Sequence, residues 1–366
     1  MTDQKADRSL LRVLGIERPI IQAPMAGVST PALAAAVSNA GGLGSLGVGV
    51  MNATGARKII RETRALTTKP FNINVFCHTP ATADGQVEHK WLDWLAPQFE
   101  KYGAVPPASL SEIFTSFVAD MDMLQVFLEE KPAVVSFHFG LPSAEVIAAL
   151  KTAGIRLLAS ATNLQEAAEV AVAGVDAIVA QGIEAGGHRG TFDPDGPDDQ
   201  LGTFVLTRLL ATEFELPVVA AGGIMDGAGI AAALALGAQA AQLGTAFLAC
   251  PETSVDEGYR QAVLGAPARH TTFTTAFSGR VARSMVNRFT ELGSDGNSPK
   301  PPQFPVAYDA AKALHAAAKA KGEFGYGAEW AGQAAALARC LPAAELFAQL
   351  ERELNASAKQ LSWRGD

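Results

Sequence analysis

The segment Gln181-Gly-Ile-Glu-Ala-Gly-Gly-His188-Arg-Gly-Thr-Phe192 sets one imidazole and one guanidinium among four glycines. It directly follows the apolar run Asp176-Ala-Ile-Val-Ala180, so a buried strand is expected to end in a glycine-rich loop. Paired glycines let a backbone approach a flat or phosphorylated ligand closely and aim N–H groups at it. His188 adds the one side chain whose ordinary pKa lies near neutrality. Such a loop suits a cofactor site with a proton-transfer group attached. A plain left-handed turn carrying a surface histidine is the alternative.

Further strand ends carry compatible groups. Ala221-Gly-Gly-Ile-Met-Asp226 and Gln242-Leu-Gly-Thr245 offer the backbone N–H groups of Gly222, Gly223 and Gly244 and the hydroxyl of Thr245. Asp226 is placed to cap the next helix and aim the positive end of its dipole at an anion. No Walker-type sequence is present, so a single phosphomonoester on a ring cofactor fits better than a nucleoside triphosphate. Asn72 and Asn74 lie within one expected strand, while His138 and Gln181 close two others. Amides both donate and accept, which suits the mixed edge of an isoalloxazine ring; Asn74 and Gln181 are the preferred ring contacts. Met25 supplies a polarizable apolar surface for a ring face.

These groups need elements to hold them. Short β-rich apolar runs at 20–23, 42–46, 71–75, 133–137, 156–159, 177–180, 217–220 and 240–243 alternate with alanine-rich helical stretches. Thr30 and Asn163 are expected N-caps, with Pro31 in a first helical turn. Eight strand–helix units in series predict a parallel sheet closed as an α/β (β/α)8 TIM barrel. An open doubly wound sheet competes, but glycine-rich turns after the first, second, sixth, seventh and eighth strands favour loops converging at one barrel end. The expected parts are barrel over 1–82 and 132–250, a helical insertion over 83–131, a cap or lid over 251–325, and a C-terminal helix within 326–366 packing back on the barrel. The pattern places that last helix from Trp330 to Leu350.

Composition narrows the classes. The 366 residues are 48% hydrophobic and 18% charged, enough for a large core, and the net charge of −8 argues against nucleic acid and anionic membranes as partners. Three scattered cysteines form no disulfide framework or metal pair, which suits a reducing cytoplasm. The N-terminal Met-Thr-Asp-Gln-Lys-Ala-Asp-Arg is polar and unlike a signal peptide, and no apolar run approaches the ~18 residues of a membrane span. A cytoplasmic enzyme, monomeric or homodimeric, is expected.

The motifs together resemble a known family. Gln22-Ala-Pro-Met-Ala-Gly-Val-Ser-Thr-Pro31, Asn72-Ile-Asn-Val-Phe76, Ser136-Phe-His-Phe-Gly140 and the 181–192 loop occur in this order, followed by Ala221-Gly-Gly-Ile224, Gln242-Leu-Gly-Thr245 and Trp330-Ala-Gly-Gln333. They look like nitronate monooxygenase, formerly 2-nitropropane dioxygenase, over nearly the whole chain. The histidine-bearing segments resemble its class I branch. The resemblance implies an FMN-dependent oxidoreductase without metal or nicotinamide. It would oxidise alkyl nitronates, propionate 3-nitronate above all, with O2 to a carbonyl compound plus nitrite and nitrate, a detoxification. It carries FMN contacts over to Met25, Asn74, Gln181, Gly186, Gly222, Gly223, Gln242, Gly244, Thr245 and, more weakly, Gln333.

His188 matches the family's active-site histidine. It would act as base toward neutral nitroalkanes, or orient and neutralise the oxygens of a nitronate that is already deprotonated. His138 is a candidate to shape the substrate site. Tyr308 and Lys312, at i and i+4, share a helix face and resemble a Tyr–Lys pair near the substrate, with Lys312 as the cation for a dianion. Phe304 stands where a second tyrosine is expected. Arg189 is the other candidate cation. Two competing functions are an NAD(P)H-dependent flavin reductase of the same superfamily (quinone or enoyl-acyl-carrier-protein reductase) and a non-catalytic flavin-binding protein.

Overall fold

The computed structural model describes residues 9–361; the polar segment at 1–8 and the last five residues lie outside the described residues. Eight parallel strands alternate with helices. They are β1 (Ile20–Gln22), β2 (Gly44–Gly47), β3 (Phe71–Phe76), β4 (Val134–His138), β5 (Arg156–Ala161), β6 (Ala177–Gln181), β8 (Val218–Ala221) and β9 (Ala240–Leu243). The hydrogen-bonded order is β1-β9-β8-β6-β5-β4-β3-β2. A parallel bridge between Ile21 and Leu43, with Gln22 N donating to Leu43 O at 2.9 Å, joins the two ends. The ring is therefore the expected TIM barrel, and it has no open edge along which a competing sheet could pair.

The strands are short, almost wholly buried runs, as a sheet covered on both faces requires. Outward residues such as Val135, Leu157 and Ile178 pack under the helices α3 (Ala53–Leu66), α5 (Met121–Glu130), α6 (Ala144–Thr152) and α7 (Leu164–Ala173). Inward residues Ile21, Val134, Leu158 and Val219 meet Leu10 and Leu14 of α1 (Leu10–Leu14), which closes the amino end of the ring. Burying each such leucine is worth about 1.5–3 kcal/mol. Helix starts follow local chemistry. Thr30 accepts from Leu33 N above Pro31 in α2 (Pro31–Asn39), and Asn163 accepts from Glu166 N, as their sequence positions predict.

Two excursions leave the ring. Helix α4 (Gly85–Lys101) packs against α12 (Ala307–Lys319), and with Phe114 from the loop after α4 they form an aromatic cluster including Trp91, Phe99 and Tyr308. The sequence grouped 121–130 with this insertion. In the structure α5 is the ring's own third helix, clamped to α3 because Glu130 accepts from Arg57, Arg61 and Arg64. After β9 come α10 (Glu257–Leu264), β10 (Thr271–Thr274), β11 (Ala282–Met285) and α11 (Arg288–Gly293). Strand β11 pairs with both β10 and β7 (Gly187–His188), making a small antiparallel sheet that lies outside the ring.

The last helix, α13 (Ala343–Leu361), begins later than the alanine-rich pattern predicts. Between Trp330 and Ala343 the backbone is tied elsewhere: Gly332 N donates to Thr245 Oγ1 at 3.0 Å and Gln333 N to Glu184 O at 3.0 Å. A helix would have to spend its amides internally, so tertiary contacts override propensity here. Helix α13 packs against α2 and α9 (Gly227–Ala235).

Candidate active site

A cavity of about 490 Å3 opens at the carboxyl end of the ring, bounded below by strand ends and above by α12 and the 326–334 segment. Met25, Asn74, His138, Gln181, Gly186, His188, Gly222, Gly223, Gln242, Gly244, Thr245, Tyr308 and Lys312 all line it. Gln333 does not; it is exposed, and what it contributes to the rim is its backbone N–H. Residues from the carboxyl halves of six ring strands or the turns just after them (β1, β3, β4, β6, β8 and β9), and from the cap, are thus brought into one space.

The loop after β6 is tied down at every turn. Gln181 Oε1 accepts from Gly190 N at 2.7 Å while Gln181 Nε2 donates to His188 O at 3.0 Å. Arg189 is buried and turned away, pairing with Asp198 at 2.8 Å and donating to Gln181 O at 2.6 Å. Glu166 accepts from Phe192 N at 2.9 Å. Arg189 is therefore a brace, which leaves Lys312 as the candidate cation. Gln181, expected to contact a ring, uses both ends of its amide on its own loop. Gly186 is required by close approach: a Cβ there would lie 2.5 Å from Ala331 C and Gly332 N.

The rims after β8 and β9 differ. Among the described residues, the N–H groups of Gly222, Gly223 and Gly244 donate to no protein atom, and the Gln242 amide has no protein partner. Gly222 has φ of 120°, a region closed to other residues. A Cβ on Gly244 would stay 3.4 Å from Ala23 and 3.9 Å from Met25 Sδ, ordinary contact without a clash. Asp226 does cap α9, accepting from Gly229 N at 2.8 Å, and Gly227 N is taken by Glu353 at 3.0 Å. The expected helix dipole is thereby answered by two carboxylates, so an anion in this cavity would be met by the loop amides instead. Asn74 spends its Nδ2 on Ser136, which leaves Oδ1 as its acceptor.

The roof is aromatic. His188 lies 5.2 Å from Phe304, 5.2 Å from Trp330 and 5.9 Å from Tyr308, centroid to centroid. Trp330 Nε1 donates to Tyr308 Oη at 3.1 Å, and burial keeps that phenol protonated by raising its pKa. Lys312 Nζ sits 4.5 Å from the Phe114 ring centre, and desolvation lowers its pKa. Glu329 is buried in the wall, where desolvation pushes its carboxyl up to about 7.

His188 Nε2 bonds Ser278 Oγ at 2.9 Å, and burial, then the Arg280 charge, holds its pKa well below the usual value. His188 is therefore a neutral imidazole at neutral pH, the form a base requires. His138 is pushed down to about 4 by burial, with Arg280 adding to it. Both its nitrogens are engaged, Nδ1 with Ser160 Oγ at 2.9 Å and Nε2 with His188 O at 3.4 Å, so it braces the histidine loop. Phe139 lies 4.4 Å from the His138 ring and 5.6 Å from the His188 ring, and its φ of 73° is strained for a non-glycine residue by about 1–3 kcal/mol.

Sequence reasoning passed over Ser278, Arg280 and Glu329. Their only signal is position in the segment after the eighth strand, and only folding brings Glu329 to the cavity wall, Ser278 to His188 and Arg280 to the Phe139 ring beside it. His78 is buried with both ring nitrogens unpartnered, His315 lines the outer cavity, and among the described residues no group of three or more His, Cys, Asp or Glu is placed to hold a metal. No described helix is long and apolar enough to cross a membrane.

Comparison with known proteins agrees with this geometry. Residues 8–353 match the family model for nitronate monooxygenase. The chain is 79% identical to a nitronate monooxygenase of Paraburkholderia phytofirmans, over 99% of both chains. It is 56% identical to a nitronate monooxygenase of Pseudomonas aeruginosa, over 94% of this chain and 98% of the other. A solved nitroalkane oxidase from Streptomyces ansochromogenes superimposes with a TM-score of 0.88 at 41% identity, covering 97% of this chain and all of that one. The chain belongs to the nitronate monooxygenase family.

Proposed function

We propose that this member of the family oxidises alkyl nitronates with FMN and O2, yielding a carbonyl compound with nitrite and nitrate, and that a carboxylate-bearing nitronate such as propionate 3-nitronate is its substrate. The observation that carries this reading is the division of one cavity into free backbone donors on the β8 and β9 side and a neutral histidine under an aromatic roof on the other.

A monophosphorylated flavin fits the residues present. The amides of Gly222, Gly223 and Gly244 and the Thr245 hydroxyl are the free donors for its phosphate, beside the space a Cβ on Gly244 would enter. Gln242 and Asn74 Oδ1 are available to the polar ring edge, and Met25 to a ring face. When bound, FMN supplies the acceptor for the substrate's electrons and the partner for O2.

The protein's own part follows from its charges. A nitronate arrives deprotonated, so His188 need only contact it. A neutral nitroalkane must first lose its α-proton, which neutral His188 can accept while Ser278 keeps the ring in place. Lys312 offers the cation for a substrate carboxylate, and the rings of Phe304, Tyr308 and Trp330 exclude water from the reacting carbon.

The decisive experiment compares oxygen uptake with propionate 3-nitronate against anaerobic reduction by NADH. Nitronate-dependent uptake with slow NADH oxidation is expected. Fast NADH oxidation without nitronate-dependent uptake would assign the chain to the flavin reductases instead. A yellow protein inert to both would make it a flavin-binding protein.

A further inference from the structure

Behind the Phe139 ring lies a charge that the proposed chemistry does not yet use. Arg280, on the turn between β10 and β11, is 4% exposed. Its Nη2 donates to Thr191 O, its Nε has no hydrogen-bond partner, and it makes no ion pair with any described carboxylate. The guanidinium carbon sits 4.1 Å over the centre of Phe139. That ring is in turn 5.6 Å from His188 and 4.4 Å from His138. A buried, half-satisfied cation is costly to keep, and here the strained backbone of Phe139 inserts the ring between that cation and the two imidazoles.

We propose that Arg280 is the electrostatic positioning residue of this centre, a buried cation without an ion pair among the described residues, stacked on Phe139, whose charge favours an anion beside His188. The proposal rests on the reading of His188 as the group that meets the substrate. The charge reaches His188 through an aromatic ring rather than through water, at a separation of about 10 Å or less, so little screens it. Removing a proton from a neutral nitroalkane creates negative charge beside His188. A fixed positive charge nearby favours that product, and it equally disfavours a second cation on the imidazole.

The other groups facing His188 do not substitute for it. His138 and His78 are themselves held neutral at neutral pH, and Tyr308 stays protonated. Arg189 is neutralised by Asp198, Arg283 of β11 donates to Ile183 O and lies over Phe273, and Glu184 is spent on Thr203. Lys312 lies on the outer side, against Phe114, and Glu329 is pushed up to about 7 by burial. Of the carboxylates that act on Arg280, Glu166 is bound to Thr162 and Phe192 N, while Asp193 and Asp195 belong to the partly exposed 193–199 loop.

The test uses the holoenzyme, its Arg280→Gln variant, which keeps a donor for Thr191 O without charge, and Arg280→Lys, which keeps charge without shape. Imidazole NMR titration and the pH profile of kcat/KM with nitroethane are read together. In Arg280→Gln both the His188 titration and the acid limb are expected to move up by about one pH unit, and Arg280→Lys to restore most of that shift. Arg280→Met repeats the charge removal without a buried polar end, should the glutamine fail to fold. Superimposable titrations, or equal shifts in the Lys and Gln variants, would overturn the proposal. If the wild type oxidises no nitro compound, the function fails while the NMR titration still decides on Arg280.

Discussion

The loop after β6 and the turns after β8 and β9 are both rich in glycine and lie side by side on the rim of the same cavity, yet they spend their polar groups in opposite ways. In the first, Gln181, Arg189, Asp198 and Glu166 satisfy one another and the backbone, so His188 is carried on a fixed frame. In the second, the amides of Gly222, Gly223 and Gly244 and the side chain of Gln242 are unspent. Satisfied polar groups hold a reacting side chain within the narrow tolerance that chemistry needs, whereas unspent donors are what a bound anion would satisfy. Glycine serves close packing at Gly186 and Gly222, whereas at Gly244 a Cβ would meet only ordinary contacts.

The comparison can be broken most severely on the open side. Gly244→Val adds side-chain atoms where a Cβ meets no clash, so the fold should persist while the proposed phosphate space fills. FMN affinity is expected to fall about 1,000-fold (roughly 4 kcal/mol), read by flavin absorbance titration beside an unchanged circular dichroism spectrum. A normally yellow variant of unchanged affinity would remove the β9 turn from the cradle.

On the tied side, His188→Asn keeps a polar group and deletes the base. We expect about a 100-fold loss in kcat/KM for nitroethane and a much smaller loss for its nitronate. Equal losses on both would assign His188 to orientation alone.

The frame itself is tested by Asp198→Asn, which leaves the buried Arg189 half-paired and should cost about 2 kcal/mol in denaturant unfolding. The hydrogen bond from Arg189 holds the Asp198 carboxyl below its usual range. Its contribution is therefore complete at neutral pH and is lost as pH falls through the folded value, so the gap between wild type and variant should begin to close below about pH 4 and vanish in stronger acid. A gap that persists at lower pH would refute an ionic cause.

The smallest effect is expected from the exposed Lys312. Lys312→Met should raise KM for propionate 3-nitronate by about fivefold, in keeping with the modest worth of exposed charges, and leave nitroethane unaffected. A matching change for both substrates would show loss of packing on Phe114 rather than loss of charge.

Much of this was legible before folding. Period and turn chemistry announced eight units, and the strand-terminal placing of Asn74, His138, Gln181, Gly222 and Gly244 announced a common rim, because in a closed parallel ring every carboxyl end faces the same way. Local pattern misled where long-range contacts claimed the backbone. The alanine-rich stretch after Trp330 reads as helix, but its amides are taken by Thr245 and Glu184. Helix α5 reads as part of an insertion, but Glu130 binds it to α3.

The sequence by itself determined the ring and the family and proposed the histidine, since hydrophobic period, glycine placement and the ordered motifs are local properties written along the chain. Only the tertiary structure decided which polar groups are spent and which are free, and what charge His188 bears. Those depend on partners up to about a hundred residues away, Ser278 and Arg280 among them, and on burial, which exists only once the cap lies against the ring.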